Sequence, residues 1–260
     1  MPIITLTTDW NRDDFYMAAV KGEILQNCPN ANVIDISHQV QAFNIAQAAF
    51  IIKNSFANFP KGTFHIIAVN SNSEKRPGLL AFSIKGQFFI SYDSGIYGLI
   101  FKEDPDEIIE LKYPEKTPST FPELHIFAPI ACKIAKAGKI SSLGEKPKKF
   151  KKSVPLRATI DDSGITGSVI YIDSYKNAIT NISRNLFERV GQNRDFEILI
   201  QSNHYKITRI NSNYNETTMG EILAIFNSIN LLEVAINQGN AADLLGLETG
   251  SSIRVVFKKK

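Results

Sequence analysis

Cysteine is scarce, two residues in 260. Cys28 and Cys132 lie in otherwise helical patterns and lack metal-ligand spacing, so a disulfide scaffold and a zinc finger are excluded and reduced, buried thiols are expected. His38, His65 and His125 share no spacing either, and structural roles are expected for them. No apolar run reaches about 18 residues, so no transmembrane helix is expected. The opening MPIITLTTDW enters a strand without a basic leader, which argues against a secretory signal. No GxGxxG follows that first strand, so the dinucleotide fingerprint is missing. There is no internal repeat and no low-complexity segment.

What is present is ordinary globular material, 43% hydrophobic and 21% charged, enough for one large or two medium domains with a substantial core. The net charge of +3 owes much to Lys146, Lys148, Lys149, Lys151 and Lys152 and to Lys258, Lys259 and Lys260. Such runs are usually solvated, so a linker and a tail are expected there rather than a nucleic-acid footprint.

Residues 3–7 read as a buried strand, followed by the polar loop 9–13 and a helix with Phe15, Ala18, Ala19 and Gly22 inward. Strand, loop and helix begin an α/β unit. Ligands of open α/β sheets sit at the carboxyl ends of strands, which makes Asp9 a site candidate; its plainer role is to cap the helix. Strands at 33–36 and 63–69, a hairpin of 79–84 with 88–91 through Gly86, and helices at 44–56 and 126–137 continue the pattern. The lysine- and proline-rich stretch 146–155 marks a boundary. Beyond it come short alternating segments separated by polar turns, the texture of a small all-β barrel or sandwich. The expected organisation is a three-layer, Rossmann-like α/β domain over 1–145, a linker over 146–155, and a β-barrel domain over 156–260.

One stretch organises the second half. GSVIYIDSYKNAITNIS, residues 167–183, opens as a strand with Val169, Tyr171 and Asp173 on one face and Ile170 and Ile172 on the other. It breaks into the polar turn 173–177, and Ser183 then suits the N-cap of a short helix carrying Leu186, Phe187 and Val190. An acid, an aromatic and an amide together offer a cation partner, a stacking face and a bidentate hydrogen-bonder, which suits an adenosine with a charged tail. The alternative is that Asp173 and Asn177 only satisfy the turn backbone.

Several stretches together resemble the S-adenosyl-L-methionine (SAM) hydroxide adenosyltransferases, the SAM hydrolases related to the fluorinase and chlorinase. They are TLTTDWNRDDFYMAAVKGEI, DISHQVQAFNIAQAAFII, FFISYDSGIYGLI, TFPELHIFAPIA, GSVIYIDSYKNAITNIS and FNSINLLEVAINQGNAADLLGL, and their order and spacing fit from Ile3 to Val256. The resemblance implies an α/β domain and a β-barrel, a homotrimer, and SAM bound between domains of neighbouring subunits; no separate cofactor or metal is expected, and the reduced thiols point to the cytoplasm. It also implies that Asp9 holds the ribose hydroxyls and Tyr175 contacts the adenine. Asn177 would bond the adenine edge with backbone groups from Ile236 to Gln238. Asp173 would hold the methionine ammonium, and Ser228, beside Asn227 in FNSINLLE, the carboxylate.

The implied chemistry is in-line displacement at C5′ by water or halide. The sulfonium is already a good leaving group, so the enzyme must mainly position and desolvate a nucleophile. The hydrolases hold their water with an Asp in a VDPGVG-like loop, an Arg, and the His of a TFHGRDIFAP-like segment. Here the acid position is Asn70 in a shortened loop, the histidine position is Pro122, and Arg76 and His125 are the remaining candidates. Neither asparagine nor proline can act as a base. Three accounts follow: a weak or non-catalytic SAM or adenosine sensor, a hydrolase rebuilt around Asn70, Ser71 and His125, or a halogenase-like enzyme. The missing acid and histidine lead to the expectation of hydrolysis slower than in intact members, and fast release of adenosine in water would point to the rebuilt site. SAM methyltransfer would need a glycine-rich loop after the first strand, which the chain lacks.

Overall fold

The structure is a computed structural model that describes residues 1–69, 77–113, 120–200 and 205–258. It forms two compact units, Met1–Pro155 and Leu156–Lys260.

The first unit is a three-layer α/β structure. Its sheet contains β1 (Ile3–Thr8), β2 (Asn32–Ser37), β3 (Phe64–Ala68), β4 (Leu79–Ile84), β5 (Gln87–Tyr92) and β6 (Glu107–Leu111), in the order β2-β1-β3-β5-β4-β6. β1 is parallel to β2 and β3, and β3 to β5; β4 runs antiparallel to both β5 and β6. The helices are α1 (Phe15–Asn27), α2 (Ile45–Ser55), α3 (Ile96–Ile100) and α4 (Ala128–Ala137). Side chains alternate across the strands, so the sheet has a core on each face. Leu79 and Ala81 pack with Val20, Ile24 and Ala131 on one face, while Leu80, Phe82 and Ile84 pack with Ala49 and Ile52 on the other.

Two readings need correction. The inward face of α1 is Val20 and Ile24, continued by Cys28, whereas Phe15 is 68% exposed and Ala18 is exposed as well. Apolar residues lie all round this helix, so its periodicity does not select a face. The helix expected from residue 126 begins earlier, with a π-helical turn, Glu123–Phe127, that runs straight into α4. Pro122 caps that turn with φ −60°, the angle its ring fixes, so it opens the helix instead of breaking it.

His65, in β3, is tied into the sheet. His65 sits between Thr5 Oγ1 (2.7 Å) and Gln87 Oε1 (2.7 Å), and burial pushes its pKa down to about 4, so the ring is neutral. The stretch 146–155 lies along this unit. Phe150 packs edge-on against Tyr97 at 5.4 Å, and Ser153 N–H donates to Gly95 O at 3.0 Å.

The second unit is an antiparallel, nearly closed barrel. Its strands are β7 (Thr159–Asp161), β8 (Gly164–Ile172), β9 (Ala178–Ser183), β10 (Phe196–Ile200), β11 (Tyr205–Ile207), β12 (Ile222–Phe226), β13 (Leu231–Ile236) and β14 (Ser252–Phe257). The order is β11-β10-β14-β8-β9-β13-β12, with β7 added to β8. The two ends approach where Asn211 N–H donates to Ala224 O at 2.8 Å. Ser183 caps α5 (Arg184–Gly191), its hydroxyl accepting from Leu186 N–H at 3.2 Å. A bulge between Val169 and Tyr171 interrupts the alternation of β8. Val169 and Ile172 therefore both face the barrel core, three residues apart. Strict period 2 had put them on opposite faces.

Candidate functional site

The first unit has a cavity of about 430 Å³ at the carboxyl ends of β1, β3 and β5, where an open α/β sheet offers a ligand site. Asp9 leaves β1, Ala68 ends β3 and Tyr92 ends β5, and all three line the cavity. Trp10, Tyr16 and Phe121 form an aromatic wall, with Phe121 edge-on to Trp10 at 5.6 Å and to Tyr16 at 5.1 Å. Asp9 Oδ2 accepts from Phe43 N–H at 2.8 Å, which holds Phe43 at φ 65° over the site. That left-handed backbone is unusual for a bulky residue, and the Asp9 contact helps fix it. Burial raises the Asp9 carboxyl above its usual range, against the lowering effect of the Phe43 N–H.

Glu123, the first residue of the π-helical turn, lines the same cavity and is only 7% exposed. Its Oε1 accepts a short hydrogen bond from the Tyr92 hydroxyl, the one side-chain donor to Glu123 among the described residues. Burial pushes its carboxyl up, the Tyr92 bond and its own backbone N–H oppose this, and the nearby Asp9 charge adds to the rise. Burial and the Glu123 charge push the Tyr92 phenol well up too, so it stays protonated and can only donate to the glutamate. His125 lies two residues further on, is exposed, and is not among the lining residues. Asn70, Ser71 and Arg76 lie outside the described residues.

The second unit has a cavity of about 650 Å³ lined by Asp173, Tyr175, Asn177, Tyr214, Ile236, Gln238 and Gly239. The turn that supplies the first three is internally satisfied. Asp173 Oδ1 accepts from Asn177 N–H at 2.8 Å, Lys176 N–H donates to Asp173 O at 3.0 Å, and Lys176 takes φ 66°. Backbone capping and cavity lining therefore coexist in Asp173. Lys176 O also accepts from Ala242 N–H at 2.9 Å, which ties the turn to α6 (Ala241–Leu244). Tyr175 is 78% exposed, so its ring is available for stacking.

Behind this cavity lies Glu233, 2% exposed on β13. Tyr214 Oη donates to its Oε1 at 2.8 Å, Asn227 Nδ2 to its Oε2 at 3.0 Å, and Asn177 reaches it as well. Burial raises its carboxyl, and these three donors offset part of the rise. Asn177, itself buried, also donates Nδ2 to Asp173 Oδ2 at 3.3 Å. Its Nδ2 thus donates to Asp173 and lies near the Glu233 carboxylate, which orients the amide so that Oδ1 is the acceptor for a ligand. Asn227 does not line the cavity. Its Oδ1 takes Ile229 N–H and Leu231 N–H at 3.2 and 3.1 Å, so its work is in the turn and on Glu233. Ser228 is exposed on that turn and also outside the lining.

Two family models cover this chain. The N-terminal domain of the SAM hydroxide adenosyltransferases matches residues 4–144 and the C-terminal domain residues 167–254. The chain belongs to the SAM hydroxide adenosyltransferase family. Among relatives, an (R)-S-adenosyl-L-methionine hydrolase of Thermus thermophilus is 26% identical over 96% of this chain and 97% of its own. One from Methanocaldococcus jannaschii is 24% identical over 99% and 97%. A fluorinase of Nocardia brasiliensis is 23% identical over 98% and 96%. A crystal structure of an uncharacterized conserved protein from Thermotoga maritima shares the fold, with a TM-score of 0.87, 24% identity, and coverage of 98% of this chain and 100% of that one.

Glu123 and Glu233 were absent from the sequence-based candidates. Each left a faint trace: Glu233 is an acid inside the apolar run LLEVAI, and Glu123 stands at the glycine of TFHGRDIFAP. An acid in the first turn of a helix is ordinarily a favourable partner for the helix dipole, which hides the second trace.

Proposed function

We propose that the protein hydrolyses SAM to adenosine and methionine. The observation that carries this reading is the match of both family domains over nearly the whole chain, with Asp9 and the 173–177 turn each lining a cavity. Asp9 accepts hydrogen bonds from the ribose hydroxyls. Tyr175 covers the adenine, and Asn177 Oδ1 accepts from its amino group. Asp173 holds the methionine ammonium, Ser228 its carboxylate, and backbone groups of Ile236 to Gln238 border the base. The assembly in this reading is a homotrimer, with SAM between the first domain of one subunit and the second domain of the next. A cytoplasmic setting goes with a SAM substrate and with Cys28 and Cys132 as buried free thiols. Among the described residues no helix is long and apolar enough to cross a membrane. Departure of a neutral thioether from a sulfonium asks for no metal and no separate cofactor.

The test is chromatography of adenosine and methionine from purified protein given each sulfonium epimer of SAM, in water, then with chloride, then with fluoride. Equal release of both products without halide is the expected result. Tight SAM binding without turnover would favour the sensor reading. A 5′-halo-adenosine formed only with halide would favour the halogenase reading that the fluorinase relatives suggest. Light scattering should give three times the chain mass, and a stable monomer that binds SAM tightly would overturn the trimer.

A further inference from the structure

We infer that Glu123, held by Tyr92, is the group that positions and deprotonates the attacking water. The inference rests on the hydrolase reading above. Three features single out Glu123. It lines the cavity that also holds Asp9, the proposed ribose ligand. It is only 7% exposed, yet its carboxylate accepts only from the Tyr92 hydroxyl and its own backbone N–H among the described residues, so lone pairs remain for another hydrogen bond. It directly follows Pro122, which has no polar side-chain atom, and opens a π-helical turn, a distortion found frequently at functional sites.

A water oxygen forms its bond to C5′ as one of its protons passes to the Glu123 carboxylate. The C5′–S bond breaks with its electron pair going to sulfur, so the sulfonium becomes the neutral thioether of methionine. Glu123 then returns the proton to solvent, and the net reaction converts SAM and water into adenosine, methionine and one proton. A buried carboxylate is a stronger base than an exposed one, which suits it to this step. The arriving sulfonium brings positive charge beside Glu123 and Asp9 and favours the ionised form of both. Tyr92 is a positioning residue: its hydroxyl fixes the carboxylate, whose remaining lone pairs take the water.

The experiment compares wild type, Glu123→Gln, Glu123→Asp and Tyr92→Phe, with steady-state SAM hydrolysis across pH, adenosine binding by calorimetry, and thermal unfolding as a check of folding. Glu123→Gln keeps the size of the side chain and an oxygen for Tyr92. It should lower kcat about 100-fold or more, leave adenosine affinity within about threefold, and abolish the acid limb of the kcat profile. Glu123→Asp should restore part of kcat together with that limb. Tyr92→Phe removes a bond that favours the charged carboxylate, so its acid limb should move to higher pH. If Glu123→Gln folds and keeps kcat within about threefold of a wild type that hydrolyses SAM, this inference is overturned while the hydrolase reading stands. Wild type that binds SAM but never cleaves it overturns both. Wild type that binds neither SAM nor adenosine overturns the reading underneath, at the binding step.

Discussion

Each unit of this protein buries a glutamate against a tyrosine hydroxyl beside a cavity, yet the two pairs are built differently. Glu233 accepts from Tyr214 and Asn227, with the Asn177 amide close by, and its carboxylate anchors them. Glu123 has Tyr92 alone among described side chains, and it lines the cavity wall. A buried carboxylate with its lone pairs occupied can orient its neighbours but has little left for a substrate. One with spare capacity is costly to the fold and available to a reaction. The residue pair is shared; the number of partners decides between scaffold and chemistry.

The largest effect that tests the scaffold half is at Asn177. Asn177→Ala should weaken SAM, S-adenosylhomocysteine and adenosine together, by about 1–3 kcal/mol or about 5- to 150-fold in Kd, because an adenine edge left without its partner loses a buried hydrogen bond. kcat at saturation should change little. Calorimetry giving equal Kd for wild type and variant would remove Asn177 from the site.

A smaller effect is expected at Glu233. Glu233→Gln places an amide N–H₂ against groups that all donate, so Asn177 loses part of its orientation. Adenosine should bind about tenfold more weakly, an effect of the order of one hydrogen bond. If Glu233 acts through Asn177, the same change in an Asn177→Ala background should add almost nothing. Full additivity in that double-mutant cycle would break the scaffold interpretation. The contrast with Glu123→Gln is then a clean split: one glutamate moves Kd, the other kcat.

These two glutamates also show where sequence reading stops. Most strands were legible because the sheet alternates across two cores and the barrel segments are short and separated by polar turns, but β6, β9 and β12 were not read. The 173–177 turn was legible because its polar residues are local and bond to one another. Glu233 was not, since its partners Tyr214 and Asn177 come from distant parts of the chain, and only the fold makes an acid in LLEVAI a buried hub. Glu123 was hidden for the same reason, its partner Tyr92 being 31 residues away. The segment with His125 drew attention because histidine is a familiar acid–base group, but the helical turn brings Glu123 to the cavity lining. In α1, apolar residues on all sides made Phe15 look like core when Val20 and Ile24 fill that role.

The smallest effect concerns stability and pH. Burial holds both carboxyls above the ordinary glutamate value of about 4.3. Between that value and the raised one, the folded protein binds the proton more tightly than the unfolded chain does. Stability from these groups therefore falls as pH rises through the window and is recovered below it. A glutamine at either position does not titrate. The melting temperature of wild type relative to Glu123→Gln, or to Glu233→Gln, should accordingly improve as pH drops from about 7 toward about 4.5. The two windows should differ in width. Tyr214, Asn227 and Asn177 favour the charged form of Glu233, against Tyr92 and its own backbone N–H at Glu123. The relative gain on acidification should be greater for the Glu123 pair of proteins than for the Glu233 pair. Calorimetric melting at half-unit pH steps measures it, and an equal or reversed ordering would mean that donor number does not separate the two sites.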